Sequence, residues 1–195
     1  MTIEQLNRLC PDYHFTDELG RGSYGTVYAA ESLDEEDERH YAVKLLTIPS
    51  SPAALKDLPY LGKSLEDQKR IVDQKVHSCL QEAEIVSSMD ACPNILPVYE
   101  TRTVSLEPAP MQAVLIFMEE AILLDEYLLE NAVPVTEYSK VGMDLCSALS
   151  ECESRQIIHR DIKPDNVFAD EDGTYMLGDF GLADREYVEL SLIHI

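Results

Sequence analysis

His159-Arg160-Asp161-Ile162-Lys163-Pro164-Asp165-Asn166, followed downstream by Asp179-Phe180-Gly181, is the part of this 195-residue chain whose reading decides its fold. Together the two runs hold a carboxylate able to orient an attacking hydroxyl and a lysine able to neutralise a moving phosphate. They also hold an amide and a second carboxylate able to grip a hard cation. Those are the parts that phosphoryl transfer asks of a polypeptide. Upstream, in the matching order, stand Gly20-Arg21-Gly22-Ser23-Tyr24-Gly25-Thr26-Val27 and Ala42-Val43-Lys44. A GxGxxG run alone is ambiguous, because dinucleotide sites carry it where a strand turns into a helix. Here Thr26-Val27-Tyr28 is β-branched and aromatic, so strand continues after Gly25. The glycines then close a hairpin whose backbone N–H groups can approach phosphates; its plainer reading is an ordinary flexible hairpin.

Composition narrows the classes. A formal charge of −22 argues against nucleic-acid binding and against anionic membranes, and it leaves basic peptides compatible. A triphosphate must therefore be held by local cations and backbone donors against net repulsion. The apolar run at residues 113–118 stops at Glu119-Glu120, far short of a membrane span. The N-terminus has no basic start followed by an apolar stretch, so nothing argues for export. Five cysteines (Cys10, Cys79, Cys92, Cys146, Cys152) without CxxC spacing fit a reduced, cytoplasmic chain rather than a disulfide scaffold or zinc site.

Periodicity predicts a lead-in over residues 1–12 with one helical turn, then strands at 13–15, 26–30 and 41–46. The acidic run Asp34-Glu35-Glu36-Asp37-Glu38 reads as a solvated hairpin turn. Residues 47–62, with Pro49, Pro52 and Pro59, read as an irregular loop. Val72, Val76, Cys79, Ala83 and Val86 recur at helical steps and predict one long helix over 65–89, closed by Pro93-Asn94-Ile95. Strands at 96–103 and 113–119 follow, then a short helix at 124–129. A longer helix at 136–153 has Thr136 as its N-cap and Val141, Leu145, Ala148, Leu149 and Cys152 as its apolar stripe.

These motifs, in this order, resemble the eukaryotic-type serine/threonine protein kinases from about Phe15 to Ala183. The resemblance implies an α+β, two-lobe fold. Residues 13–120 would form an N-lobe, an antiparallel sheet with one long helix. Residues 121–189 would form part of a C-lobe. It also implies ATP and Mg2+ as cofactors and protein substrates phosphorylated on Ser or Thr. Such kinases continue through an activation segment, an Ala-Pro-Glu motif and further helices, so the chain reads as C-terminally truncated. Residues 1–195 alone are then expected to be poorly soluble and nearly inactive. Residues 190–195 match one reading frame of a sequencing adapter (CTG TCT CTT ATA CAC ATC) and read as a non-native tail.

Carried over residue by residue, the resemblance assigns Asp161 to orient the substrate hydroxyl, and Lys163 to stabilise the transferred phosphoryl. Asn166 and Asp179 would hold magnesium, with Asn166 also bracing Asp161. Gly20, Gly22 and Gly25 would cover the phosphates. Lys44 would pair with the α- and β-phosphates and with the helix carboxylate Glu82; Glu84 is the alternative, but its helical position faces outward. The 38 positions from Lys44 to Glu82 exceed the spacing of compact kinases. Val27, Ala42 and Phe168 would sandwich adenine, and Glu119 and Ala121 would meet its edge through backbone groups. Met118 would close the back and Asp125 would reach the ribose. Val86, Val98, His159 and Phe180 would stack as the column of the active state, and Arg160 marks activation by phosphorylation. For these apolar residues plain core packing stays equally open. Two other readings also stay open: a silent nucleotide-binding scaffold, although Lys44, Glu82, Asp161, Asn166 and Asp179 are all intact, and a small-molecule phosphotransferase, which generally lacks the Arg-Asp-x-Lys-Pro run.

Overall fold

The computed structural model describes residues 1–22, 25–51, 54, 64–131, 134–181 and 183–185. Their contacts sort into two units, Met1–Ser88 with Pro97–Ala121, and Met89–Leu96 with the chain from Ile122 on.

In the first unit, Thr2 starts helix α1 (Ile3–Leu9) through a capping box. Thr2 Oγ1 accepts from Gln5 N–H (3.3 Å) and Gln5 Oε1 accepts from Thr2 N–H (2.9 Å). That reciprocal cap carries α1 past the single turn expected. Strands β1 (Tyr13–Gly22), β2 (Gly25–Ser32) and β3 (His40–Ile48) follow, then helix α2 (Leu65–Ser87), β4 (Val98–Ser105) and β5 (Gln112–Glu119). The sheet is antiparallel throughout, in the order β1-β2-β3-β5-β4. Strand β1 runs well beyond residue 15, because Gly20, Arg21 and Gly22 pair with Val27, Thr26 and Gly25. Strand β3 likewise takes in Thr47 and Ile48, which pair with β5. Of the expected 47–62 loop, residues 52–53 and 55–62 lie outside the described residues.

Period-two alternation gives the sheet two apolar faces. On one, Tyr41, Val43, Leu45, Ala113, Leu115 and Phe117 form a buried cluster closed by Leu6 of α1 and by Cys10. On the other, Leu46, Ile48, Val114 and Ile116 pack against Val72, Val76 and Ala83 of α2. Helix α2 ends at Ser87, two residues short of expectation. Ser87 and Ser88 turn their hydroxyls back onto the carbonyls of Ala83 (3.0 Å) and Ile85 (2.6 Å), giving the last turn a local alternative to continuing.

Arg102 ties the start of β1 to strand β4. Its guanidinium donates to both Asp12 oxygens (2.7 and 2.6 Å) and to Glu100, and lies 5.0 Å from the Tyr13 ring centre. The hydrogen bond from Arg102 holds the Asp12 carboxyl below its ordinary value. A carboxyl depressed in the folded state stabilises that state above its unfolded pKa and loses the contribution as pH falls through its folded value. Arg102→Met is therefore expected to lower the urea midpoint near pH 7, and to lose less further stability than the parent chain as pH drops below about 4. Equal acid sensitivity in urea titrations at both pH values would assign the loss to other carboxyls.

The acidic run between β2 and β3 is only partly the solvated turn expected. Asp37 accepts from Arg39 Nε (2.7 Å) and from the Tyr41 hydroxyl (2.6 Å). Those two hydrogen bonds, the Arg39 one larger, pull its carboxyl down to about 2. Asp37 thus anchors a core tyrosine.

The second unit opens with Met89–Leu96. Asn94 O accepts from Leu177 N–H (2.9 Å) and Leu96 N–H donates to Leu177 O (3.0 Å). This is why Leu96 is not in β4, which starts at Val98. After β6 (Ile122–Leu123) come helix α3 (Leu124–Glu130), helix α4 (Glu137–Ser154), β7 (Ile157–Ile158), a 3-10 turn (Pro164–Asn166), β8 (Val167–Ala169), β9 (Tyr175–Leu177) and β10 (Asp184–Arg185). Strands β6, β8 and β9 form one small sheet, and β7 with β10 another. Helix α4 buries Val141, Ala148 and Cys152, whereas Leu145 is half-buried and Leu149 exposed. Thr136 occupies the cap position but makes no side-chain cap; the first-turn N–H of Glu137 goes to Pro134 O instead (2.9 Å). Among the described residues no helix is long and apolar enough to cross a membrane. The tail at 190–195 lies outside them.

Candidate active site

Each unit carries part of the expected residue set. In the first, the β1–β2 hairpin presents Gly20, Gly22 and Gly25; Ser23 and Tyr24 between them lie outside the described residues. Gly25 has φ +150°, and a Cβ there would run into the Leu45 carbonyl oxygen. A side chain at Gly20 or Gly22 would meet open space. Gly25 is thus the glycine that the backbone itself demands. Gly25→Ala is expected to cost about 1–3 kcal/mol in urea unfolding, against a few tenths for Gly20→Ala; equal costs would remove the steric account.

Sheet register sets the remaining residues of this unit. Val27, Lys44 and Ile116 stand directly opposite one another across β2, β3 and β5. One step along, Ala29, Ala42, Met118 and Val98 do the same. Val27, Ala42, Lys44 and Met118 therefore share the face that packs against α2. On α2, Glu82 is half-buried and Glu84 exposed. Burial pushes the Cys79 thiol up, the Glu82 carboxylate pushes it further, and the Lys44 ammonium pulls it down. Lys44 and Glu82 thus both act on one half-buried thiol. Glu119 N–H donates to Pro97 O (3.1 Å) and its carboxylate accepts from the Tyr99 hydroxyl, so this backbone donor is engaged within the fold. Ala121 is half-buried at the end of this unit.

In the second unit the polar residues of the 159–166 loop meet closely. Asp161 Oδ2 accepts from Lys163 Nζ (2.7 Å) and from Asn166 Nδ2 (3.0 Å), and Asn166 Nδ2 also donates to Asp161 O (2.7 Å). Lys163, then Asn166, hold the Asp161 carboxyl below its ordinary value, so it is ionised at neutral pH. Asp161 in turn raises Lys163, with smaller contributions from Asp165 and Asp179. Because Nδ2 of buried Asn166 faces two oxygens, its Oδ1 is the atom left to offer a cation. An amide oxygen with the Asp179 carboxylate suits a hard divalent ion that keeps waters and binds phosphate. The donor set fits magnesium.

His159 connects this loop to the Asp-Phe-Gly run. Its Nδ1 accepts from Asp161 N–H (3.2 Å), so the proton sits on Nε2, which donates to Gly178 O (2.9 Å). Its ring lies 4.5 Å from that of Phe180, edge to face. Arg160 (φ +67°) and Asp179 (φ +53°) both adopt left-handed backbone, a strain that packed surroundings must hold. Phe168 pairs with Leu123 and Met176 across the small sheet, and Asp125 is exposed in the first turn of α3.

Gly178 escaped the sequence reading. It gives N–H to Asn166 O (2.8 Å) and takes the His159 proton on its carbonyl, and a Cβ there would sit 2.8 Å from the Phe168 ring. A glycine directly before Asp179 was its only signal. Buried Asn94 holds the 89–96 segment to β9: its Nδ2 donates to Tyr175 O (3.0 Å).

A family model described as protein kinase domain matches residues 13–190. CBL-interacting protein kinase 21 of Oryza sativa subsp. japonica is 26% identical over 165 residues, covering 85% of this chain and 27% of that protein. Serine/threonine-protein kinase Nek1 of Mus musculus is 28% identical over 167 residues, 85% of this chain and 12% of that protein. Cyclin-dependent kinase 4 of Mus musculus is 28% identical over 171 residues, 85% of this chain and 50% of that protein. The chain spans half or less of the length of each.

Proposed function

This chain belongs to the protein kinase domain family, and from that premise we propose that it transfers the γ-phosphoryl group of Mg-ATP to Ser or Thr hydroxyls of protein substrates. The observation that carries the reading is the Asp161 carboxylate, ionised and fixed by Lys163 and Asn166 at hydrogen-bond distance.

Asp161 accepts a hydrogen bond from the incoming hydroxyl and aims its lone pair at the γ-phosphorus, a positioning role suited to a loose transition state. Its carboxyl, held low, is a weak base, so it takes the proton late, as the P–O bond forms. Lys163 offers an ammonium whose charge is secured by Asp161, ready for the equatorial oxygens of the moving phosphoryl. Lys44 grips the α- and β-phosphates while Glu82 keeps its side chain in place. Backbone N–H groups of the β1–β2 hairpin meet the phosphates where glycines let the chain approach. Magnesium, when bound through Asn166 Oδ1 and Asp179, supplies charge neutralisation for the phosphates. Val27, Ala42, Met118 and Phe168 offer apolar surface to adenine, with the carbonyl of Glu119, whose N–H is already given to Pro97 O, and backbone groups of Ala121 at its edge and Asp125 toward the ribose.

The test is incorporation of radiolabel from γ-labelled ATP into a generic basic protein by the full gene product, with and without EDTA. Transfer that needs the divalent ion supports the proposal; transfer undiminished by EDTA contradicts the roles given to Asn166 and Asp179.

A further inference from the structure

The end of β5 is held from both sides. Glu119 N–H donates to Pro97 O (3.1 Å) and Glu120 N–H to His40 O (3.3 Å), so two successive donors are engaged within the first unit. Tyr99 adds a third hold. Pairing of β4 with β5 runs Val98 opposite Met118 and then Glu100 opposite Phe117, which leaves Tyr99 as an extra residue in a bulge. A bulge re-aims the side chain it carries. Here the Tyr99 hydroxyl donates to the Glu119 carboxylate. Burial, and then that hydrogen bond, push the hydroxyl up to about 12, so it stays a donor at neutral pH. Its ring is clamped in turn. The Arg39 guanidinium lies 4.7 Å from the ring centre, and Tyr41 meets the ring edge to face at 5.6 Å. Asp37 fixes Arg39 through two hydrogen bonds (2.7 and 3.1 Å). Tyr99 is 38% exposed and belongs to neither buried cluster of the sheet, so core packing does not account for the clamp.

We propose that Tyr99 and Arg39 are positioning residues for the nucleotide base, holding residues 119–121 in the backbone orientation that fits the adenine edge. This role rests on the ATP-dependent transfer proposed above. Neither side chain touches the base; each acts through Glu119. The chain of contacts from Asp37 to Glu119 contains none of the residues assigned to the phosphates or to the transferred group. Loosening it therefore weakens the base contacts equally in the ground state and the transition state, which raises KM for ATP and leaves kcat in place.

The test measures transfer from Mg-ATP to a generic basic protein by the full gene product, with adenosine and inorganic tripolyphosphate as competing inhibitors. Tyr99→Phe keeps the ring and removes the donor to Glu119. It should raise KM for ATP and the inhibition constant of adenosine about fivefold each, with kcat and the tripolyphosphate constant within about twofold of the parent. Arg39→Gln should act in the same direction, and Arg39→Lys, which keeps a cation beside the ring, should recover about half of the loss. A general loosening of the unit would move the tripolyphosphate constant together with that of adenosine, and that result overturns the proposal. So does a fall in kcat at constant KM, or unaltered constants in both Tyr99→Phe and Arg39→Gln. A parent protein that gives no ATP-dependent label on protein overturns the kinase reading and this role with it, before any variant is compared.

Discussion

Asp161→Ala is expected to lower phosphoryl transfer by about 10²–10⁴-fold while nucleotide affinity stays within about threefold. The asymmetry follows from what the carboxylate touches. Asp161 is bonded to Lys163, to Asn166 and, through its backbone N–H, to His159. None of these is the proposed adenine surface, so its loss falls on the transition state rather than on binding. The variant also frees Lys163 from its carboxylate, lowering the Lys163 pKa toward its ordinary value and loosening its position. Lys163 holds the Asp161 carboxyl below the ordinary carboxylate range and Asp161 holds the Lys163 ammonium above its ordinary range, so neither titrates in the window between those two ranges, about pH 5 to 9. Any bend in the rate profile inside that window belongs to another group. Radiolabel incorporation across that range, by the full gene product and its variant, measures both points. Equal incorporation by the two proteins would remove Asp161 from the chemistry.

Phe117→Ala is expected to cost about 3–5 kcal/mol of folding free energy. Phe117 is 0% exposed on β5 and touches three aromatic rings, with centroids 4.5 Å from Tyr13, 6.4 Å from Phe15 and 6.3 Å from Tyr41. The Arg102 guanidinium lies 5.2 Å from its ring centre. Truncation leaves a cavity where β1, β3 and β5 meet, and it removes the surface that Tyr13 packs upon. Leu129→Ala, at an 82% exposed position on α3, should change stability by no more than about 0.5 kcal/mol. Urea unfolding followed by circular dichroism separates the two; similar midpoints for both variants would mean that the aromatic cluster does not hold the sheet.

The fold was legible where chemistry and periodicity agreed. The alternation in β3 and β5 and the three-four stripe of α2 each name a buried face, and those faces are the two sides of one antiparallel sheet. The loop from His159 to Asn166 was legible because its polar residues have little reason to stand together unless they meet, and Asp161, Lys163 and Asn166 do meet. What stayed hidden depends on pairings that sequence spacing does not encode. The 89–96 segment reads as the approach to β4, yet its hydrogen bonds go to Leu177, 81 positions beyond Leu96. Arg102 looks like one more exposed strand charge until Asp12 and Glu100 converge on it. Gly178 is silent in sequence because its role lies in its backbone and in the space left for Phe168. Leu149 fits the apolar stripe of α4 by spacing, but the face it occupies is exposed.

The most direct test of the central claim is to identify the acceptor. The full gene product would be incubated with γ-labelled Mg-ATP, a mixture of basic proteins, and aminoglycoside and choline acceptors, and the label then traced by phosphoamino-acid analysis and chromatography of the small molecules. Label is expected on phosphoserine and phosphothreonine. Label confined to a small-molecule acceptor, with protein unmarked, would contradict transfer to protein hydroxyls.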